Sequence, residues 1–260
     1  MKKILIGSDP ELFILNLANQ KVISAIGLIP GTKEEPHKID DRDYFAIQTD
    51  NVLAEFNIPP TNDIMAFSEN IDYMKEFIRQ YVKQTDKNYD ILCAGSAVLD
   101  RIEFWHPQSM EFGCEPDFNV YTNKKNTFKP NEEFGFRSAG CHIHVGYENP
   151  KIKTNLEIIK YLDVYLGLPS VLIDPDTKRK ELYGKAGAFR MCKYGCEYRV
   201  LSGFFINSKE STDFVFKQTM KALEALNNNV DVPNPEDVER IINTNNIEEA
   251  KQLINKFKII

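Results

Sequence analysis

Long apolar runs are missing from this sequence, and no stretch approaches the roughly 20 residues that a membrane-spanning helix needs. Positive charge is also short: 32 lysines and arginines face 38 aspartates and glutamates, leaving a net charge of −6. That balance argues against a general binder of nucleic acid or anionic membranes. Neither usual phosphate cradle is present, since the chain has no GxxxxGK[ST] loop and no GxGxxG fingerprint. The five cysteines are an odd number without zinc-ribbon spacing; Cys192 and Cys196 lie close but lack a second pair. The expectation is therefore reduced thiols in a cytoplasmic protein. The opening MKKILIGSDPELF loosely mimics a signal peptide, but Asp9 and Glu11 come too soon for its apolar core, so a first β-strand is expected instead.

What is present is ordinary for a globular chain, with 42% hydrophobic and 27% charged residues and no repeat or Gly/Ser linker. Short β-like runs fill most of the first 205 residues. They are interrupted by a helical stripe over about 63–83, with Asp63 as its cap, and another over 154–168. Beyond Asn207 the pattern is helical only, over about 211–226, 235–243 and 247–257, with Pro233 and Pro235 as breakers. One domain over 1–260 is expected, with a core at about 4–206 and a C-terminal helical flank at about 208–260.

Histidine is scarce, with four in the chain, yet His142 and His144 stand two apart in RSAGCHIHVGY. On a strand they share one face while Ile143 and Val145 share the other. The same arrangement recurs in the pairs Asp9 and Glu11, Glu55 and Asn57 (with Asp50 shortly before), Glu115 and Asp117, and Glu197 and Arg199. A solvated sheet face would carry Thr, Ser, Lys and mixed charges, whereas these positions hold mainly Asp, Glu and His. Carboxylates gathered on one surface repel one another and persist where cations neutralise them. The donor set suits Mg²⁺ or Mn²⁺, which complete their coordination with water and phosphate oxygens, so a nucleotide is implied as well. Within DTKRKELYGKAGAFRMCKYGCEYRV, Arg190 and Arg199 stand beside apolar residues and suit phosphate, while Lys178, Lys180 and Lys185 read as a charged surface loop.

The motifs GSDPELF, GTK at 31–33, DNVLAEFNIPP, GCEPDFNVY, AGCHIHVGY, YLGLPSVLID and YGKAGAFR followed by GCEYRVLS occur in that order over about residues 4–206. In this the chain resembles the phage-type carboxylate–amine ligases (amidoligases) of the glutamine synthetase and γ-glutamylcysteine synthetase superfamily. The resemblance implies an α+β fold in which a glutamine synthetase-like antiparallel sheet, backed by helices, offers a concave polar face to ATP and two or three Mg²⁺ or Mn²⁺ ions. It implies metal ligands at Asp9, Glu11, Glu55, His142 and Glu197, with Asp9 shorter than the glutamate common in the superfamily. It implies that His142 and His144 face the phosphates and that Arg190 and Arg199 contact phosphate or a substrate carboxylate. Arg179 and Lys33 are further expected phosphate contacts, Arg190, Arg199, Glu197 and Asp50 the expected catalytic residues, and Glu115, Asp117 and Asn57 the expected substrate contacts. The C-terminal helices fall outside it. The implied activity is ATP-dependent amide formation through an acyl phosphate, with partners limited to ATP, a carboxylate and an amine, in the host cytoplasm if the gene is phage-borne. A phosphotransferase on the same scaffold, a metallohydrolase and a non-catalytic nucleotide-binding module are the alternatives.

Overall fold

The computed structural model describes residues 1–39, 44–110, 117–126 and 134–260. In chain order the strands are β1 (Leu5–Asn16), β2 (Lys21–Ile23), β3 (His37–Lys38), β4 (Ala46–Asp50), β5 (Leu53–Asn57), β6 (Tyr89–Leu92), β7 (Ser96–Val98), β8 (Phe118–Asn119), β9 (Lys124–Lys125), β10 (Phe136–Ser138), β11 (Cys141–Gly146), β12 (Ala188–Cys192) and β13 (Gly195–Tyr198). The main sheet runs β3-β4-β5-β1-β11-β13-β12-β8-β9, with β2 and β6 paired to the far half of β1; β7 and β10 form a separate ribbon. Every pairing is antiparallel.

The alternation seen in the sequence gives this sheet two unlike faces. Ile6, Leu12, Ala54, Phe56, Ile143, Val145, Cys196 and Tyr198 point into one large core with the helices. These are α1 (Ile64–Thr85), α2 (Pro107–Met110), α3 (Ile152–Leu162), α4 (Leu168–Ile173), α5 (Arg179–Leu182), α6 (Lys209–Asn227), α7 (Pro235–Thr244) and α8 (Ile247–Phe257). Helix α1 starts where expected, because the Asp63 side chain accepts from the Ala66 N–H. Its buried stripe of Phe67, Ile71, Met74, Ile78 and Val82 packs in that core beside α6. The C-terminal helices contribute Val215, Leu223, Ile241 and Ile254 to the same core. Among the described residues no helix is long and apolar enough to cross a membrane.

Two expectations need correction. The single helix expected over 154–168 is a broken one: α3 ends at Leu162, a π-helical turn occupies Asp163–Gly167, and α4 comes after it. The strand expected around Glu115, Asp117 and Asn119 is only the two residues of β8. Asp117 precedes the strand, and Glu115 lies outside the described residues.

The π turn explains why the helical stripe misleads. It buries Asp163 completely, and the carboxylate accepts from Tyr198 Oη and Tyr121 Oη, each at 2.8 Å. Burial pushes Asp163 up to about 7, against the pull of the two tyrosine hydrogen bonds. Its folded pKa therefore exceeds the roughly 3.9 of a free aspartate, so the protonated form stabilises the fold at acid pH and that contribution is lost as pH rises through about 7. Asp163→Asn should flatten this slope. Denaturant titrations at about pH 5 and about pH 8 should show the variant gaining on the wild type by about 2–3 kcal/mol at the higher pH. An identical pH dependence in both proteins would show that Asp163 is ionised throughout.

Candidate active site

The polar face is built row by row across the sheet. On β1, Asp9 lies opposite His142 of β11, and Glu11 lies opposite Glu55 of β5. Gln48 of β4 continues the Glu11 row beyond Glu55. One row on, Gly7 lies opposite His144, His144 opposite Glu197 of β13, and Glu197 opposite Arg190 of β12. Arg199 comes directly after β13 and donates its backbone N–H to the Ala188 carbonyl, which holds it on the same face. Further along β1 the face turns apolar at Phe13, where a small cluster with Val22, Val52, Leu53, Leu99 and Ala139 closes the end of the site.

Distances show how tightly the charges are drawn together. Asp9 Oδ1 lies 2.9 Å from His144 Nε2 and 3.4 Å from His142 Nδ1. His142 Nδ1 is 3.5 Å from Glu197 Oε1, and the same oxygen accepts from Arg199 Nη1. Arg190 Nη1 reaches Glu197 Oε2 at 3.4 Å, and Asp117 Oδ2 lies 4.0 Å from Arg199 Nε. On the other side, Glu11 Oε2 accepts from the Gly140 N–H at 2.6 Å, and Lys33 Nζ lies 2.8 Å from Asp50 Oδ1. Glu11, Asp50, Glu55, His142, Glu197 and Arg199 are all buried.

Burying this much charge splits the carboxyls into two groups. Burial alone would raise Asp9, yet His144 and His142 hold it far below the usual carboxylate range. Burial also works against charge on His144, but Asp9 outweighs it and pushes His144 up to about 10. Asp50 and Glu55 behave oppositely. Burial and then Glu11 push Asp50 up to about 6 despite Lys33, while burial and repulsion from Asp9, Asp50 and Glu11 raise Glu55 well above its ordinary value. Around Asp50 and Glu55 negative charge thus outweighs what Lys33 offsets.

That imbalance, together with the donor chemistry, fits divalent cations. Glu11, Asp50 and Glu55 form one all-oxygen group, and Asp9, His142 and Glu197 form another of two carboxylates and an imidazole. Within each group the ligand atoms lie within 4.8 Å of one another. Hard cations such as Mg²⁺ and Mn²⁺ suit both sets.

A cavity of about 520 Å³ opens over the face, lined by Asp9, Glu11, Lys33, Gln48, Asp50, Glu55, Asn57, His142, Arg190 and Arg199. Toward Gly7 and His144 it adjoins an apolar cavity of about 490 Å³, walled by Tyr44, Phe45, Ile58, Pro60 and Tyr194. Toward Glu11 the face narrows to a small pocket where Arg137, Arg179 and Arg199 meet Asp50 and Asp117.

The structure therefore brings Asp9, Glu11, Lys33, Asp50, Glu55, Asn57, Asp117, His142, His144, Arg190, Glu197 and Arg199 onto or beside one face. Arg179 lies deeper; it donates to the carbonyls of Ala139 and Val200 and borders the narrow end. Sequence reasoning passed over Gln48, Arg137 and Cys192. Gln48 could have been found as the in-phase neighbour of Asp50 on its strand. Arg137 opens the RSAGCHIHVGY stretch, but nothing local distinguishes it from a surface arginine; in the fold it is buried over Phe104.

Fold and site together define a protein in which one face of an antiparallel sheet is core and the other an open, charge-dense site. Residues 130–230 match the family model described as Phage phiEco32-like COOH.NH2 ligase-type 2. The matched part carries His142, His144, Arg190, Glu197 and Arg199, and the match supports the resemblance to carboxylate–amine ligases (amidoligases) that the motifs suggest. The match extends through α6, beyond the limit expected near residue 206. A search of curated proteins finds no match.

Proposed function

We propose that this protein is an ATP-dependent carboxylate–amine ligase that activates its acid as an acyl phosphate, on a glutamine synthetase-like sheet. The observation that carries the reading is the convergence of Asp9, Glu11, Glu55 and Glu197, from three separate strands, with His142 and two arginines in contact with Glu197. A triphosphate needs both elements: cations to offset its charge and forked donors to grip the transferring group.

Bound Mg²⁺ or Mn²⁺ would offset charge on the phosphates and polarise their oxygens. Asp9, His142 and Glu197 would hold one ion and Glu11, Asp50 and Glu55 another. Arg190 and Arg199 face the transferring phosphoryl group and stabilise the charge that develops on it. A carboxylate oxygen of the substrate attacks the γ-phosphorus, the bond to the bridging oxygen breaks and ADP leaves. The amine lone pair then attacks the acyl carbon, inorganic phosphate departs and the amine loses a proton. Asp50, where it is not engaged by a cation, and Glu115 are the candidate proton acceptors. The apolar cavity beside His144 suits the base of the nucleotide, with Tyr44, Phe45 and Tyr194 as its walls.

His37 and His106 join none of the cation-competent groups among the described residues, which weighs against a histidine-rich metallohydrolase. Incubation with ATP, Mg²⁺, a pool of carboxylic acids and hydroxylamine tests the reading. A ligase yields ADP together with acyl hydroxamates. A phosphorylated acceptor with no hydroxamate would instead establish a phosphotransferase, and Mg-ATP binding without turnover a binding module.

A further inference from the structure

We propose a second kind of cation site on this face, selective for a thiophilic divalent metal such as Zn²⁺ and formed by His144, Cys192 and Glu197. Their ligand atoms, one imidazole nitrogen, one thiol sulfur and one carboxylate oxygen, lie within 4.8 Å of one another. The three residues come from β11, β12 and β13, so their backbones are fixed by the sheet ladders.

The sheet is cleared locally so that the thiol can reach the imidazole. Cys192 lies opposite Gly195, and Gly195 opposite Gly146, so the row next to His144 and Glu197 carries no side chain on β13 or β11. A Cβ at Gly195 would lie 2.0 Å from the Val145 carbonyl oxygen, which leaves glycine as the residue that fits. Tyr194, in the turn between β12 and β13, folds over this cleared strip. Its hydroxyl lies 2.5 Å from His144 Nδ1. Cys192 is half-buried and a free thiol, so the group is reachable from solvent.

Sulfur and nitrogen donors favour zinc and its neighbours over Mg²⁺, which takes oxygen. On coordination the Cys192 thiol and the His144 imidazolium each give a proton to water, leaving three protein ligands and an open position. Glu197 also belongs to the Asp9–His142 group, so a thiophilic ion here withdraws that carboxylate from the oxygen-rich cluster. Zinc should consequently inhibit Mg²⁺-supported turnover. That consequence rests on the ligase reading, whereas the binding does not.

Cobalt is the probe. The full-length protein, titrated with Co²⁺ in excess Mg²⁺, should develop a stoichiometric thiolate-to-cobalt charge-transfer band that Zn²⁺ abolishes and that Cys192→Ser lacks. Losses of supporting ligand contacts already cost 10–100-fold in affinity, so Cys192→Ser should weaken Zn²⁺ binding by at least about 100-fold. Cobalt binding without the band, or a band that persists in Cys192→Ser, would overturn the site, and the first of these is read on the wild type alone. A band in a protein without ATP turnover leaves this site standing and removes the ligase reading. Turnover in a protein without the band does the reverse.

Discussion

Glu197→Ala is expected to lower Mg-ATP turnover by at least about 10³-fold while leaving the chain folded. Loss of one transition-state donor typically costs about 10²–10³-fold, and Glu197 belongs to a cation-competent group while contacting Arg190, Arg199 and His142. The alanine removes the buried carboxylate that Arg199 contacts and leaves Asp117 at 4.0 Å among the described residues, which costs about 3–5 kcal/mol in stability. Glu197→Gln separates the two effects. It keeps the shape and an acceptor for Arg199 but removes the charge, so turnover should fall comparably while much of the stability returns. ADP release and thermal unfolding, read on both variants, decide the matter. Normal turnover in either one removes Glu197 from the chemistry.

Glu55→Gln should do something less intuitive, making the metal-free protein more stable while abolishing its response to divalent ions. The ionised Glu55 carboxylate is opposed by burial and by its acidic neighbours, and the amide escapes both. A gain of about 1–2 kcal/mol is reasonable for relief of a strained functional position. Because its folded pKa is raised, Glu55 stabilises the fold when protonated at acid pH, and that contribution is lost as pH climbs through the folded value. The advantage of the glutamine should therefore grow toward alkaline pH and shrink toward acid. Adding Mg²⁺ or Mn²⁺ at about a hundred times its dissociation constant should stabilise the wild type by about 2.7 kcal/mol, reversed by chelator, with little effect on the variant. A wild type indifferent to both ions, together with a variant less stable in their absence, would show that Glu55 is a structural acid.

Much of this architecture could be read from the residues alone. The alternation at Asp9/Glu11 and His142/His144 was legible because period two is a local property, and the helical stripe at 64–85 because its Asp63 cap is local as well. The motif order fixed on the matched family for the same reason, since each motif is a short contiguous string. The illegible part depends on distance. Whether Glu11 faces Glu55, or Asp9 faces His142, is decided by which strands become neighbours, and β1 meets β11 across more than a hundred residues of chain. Likewise the reach of Cys192 to His144 depends on two glycines lying in the row between them, a relation invisible until the sheet is assembled. The π turn at Asp163–Gly167 escaped notice because a Leu-rich stripe reads as a continuous helix. Its departure from α geometry is set by the two tyrosines that a single carboxylate must reach.

That turn makes the site hostage to chain length far behind it. Tyr198 sits between Glu197 and Arg199, and its hydroxyl is moored to Asp163. A one-residue insertion within 163–167 would turn α4 by about 100° relative to α3, and a deletion would rewind the segment as ordinary α-helix, without the turn that presents Asp163 to both tyrosines. Insertions and deletions there, though remote from every charged group on the opposite face, should be as damaging as substitutions within it.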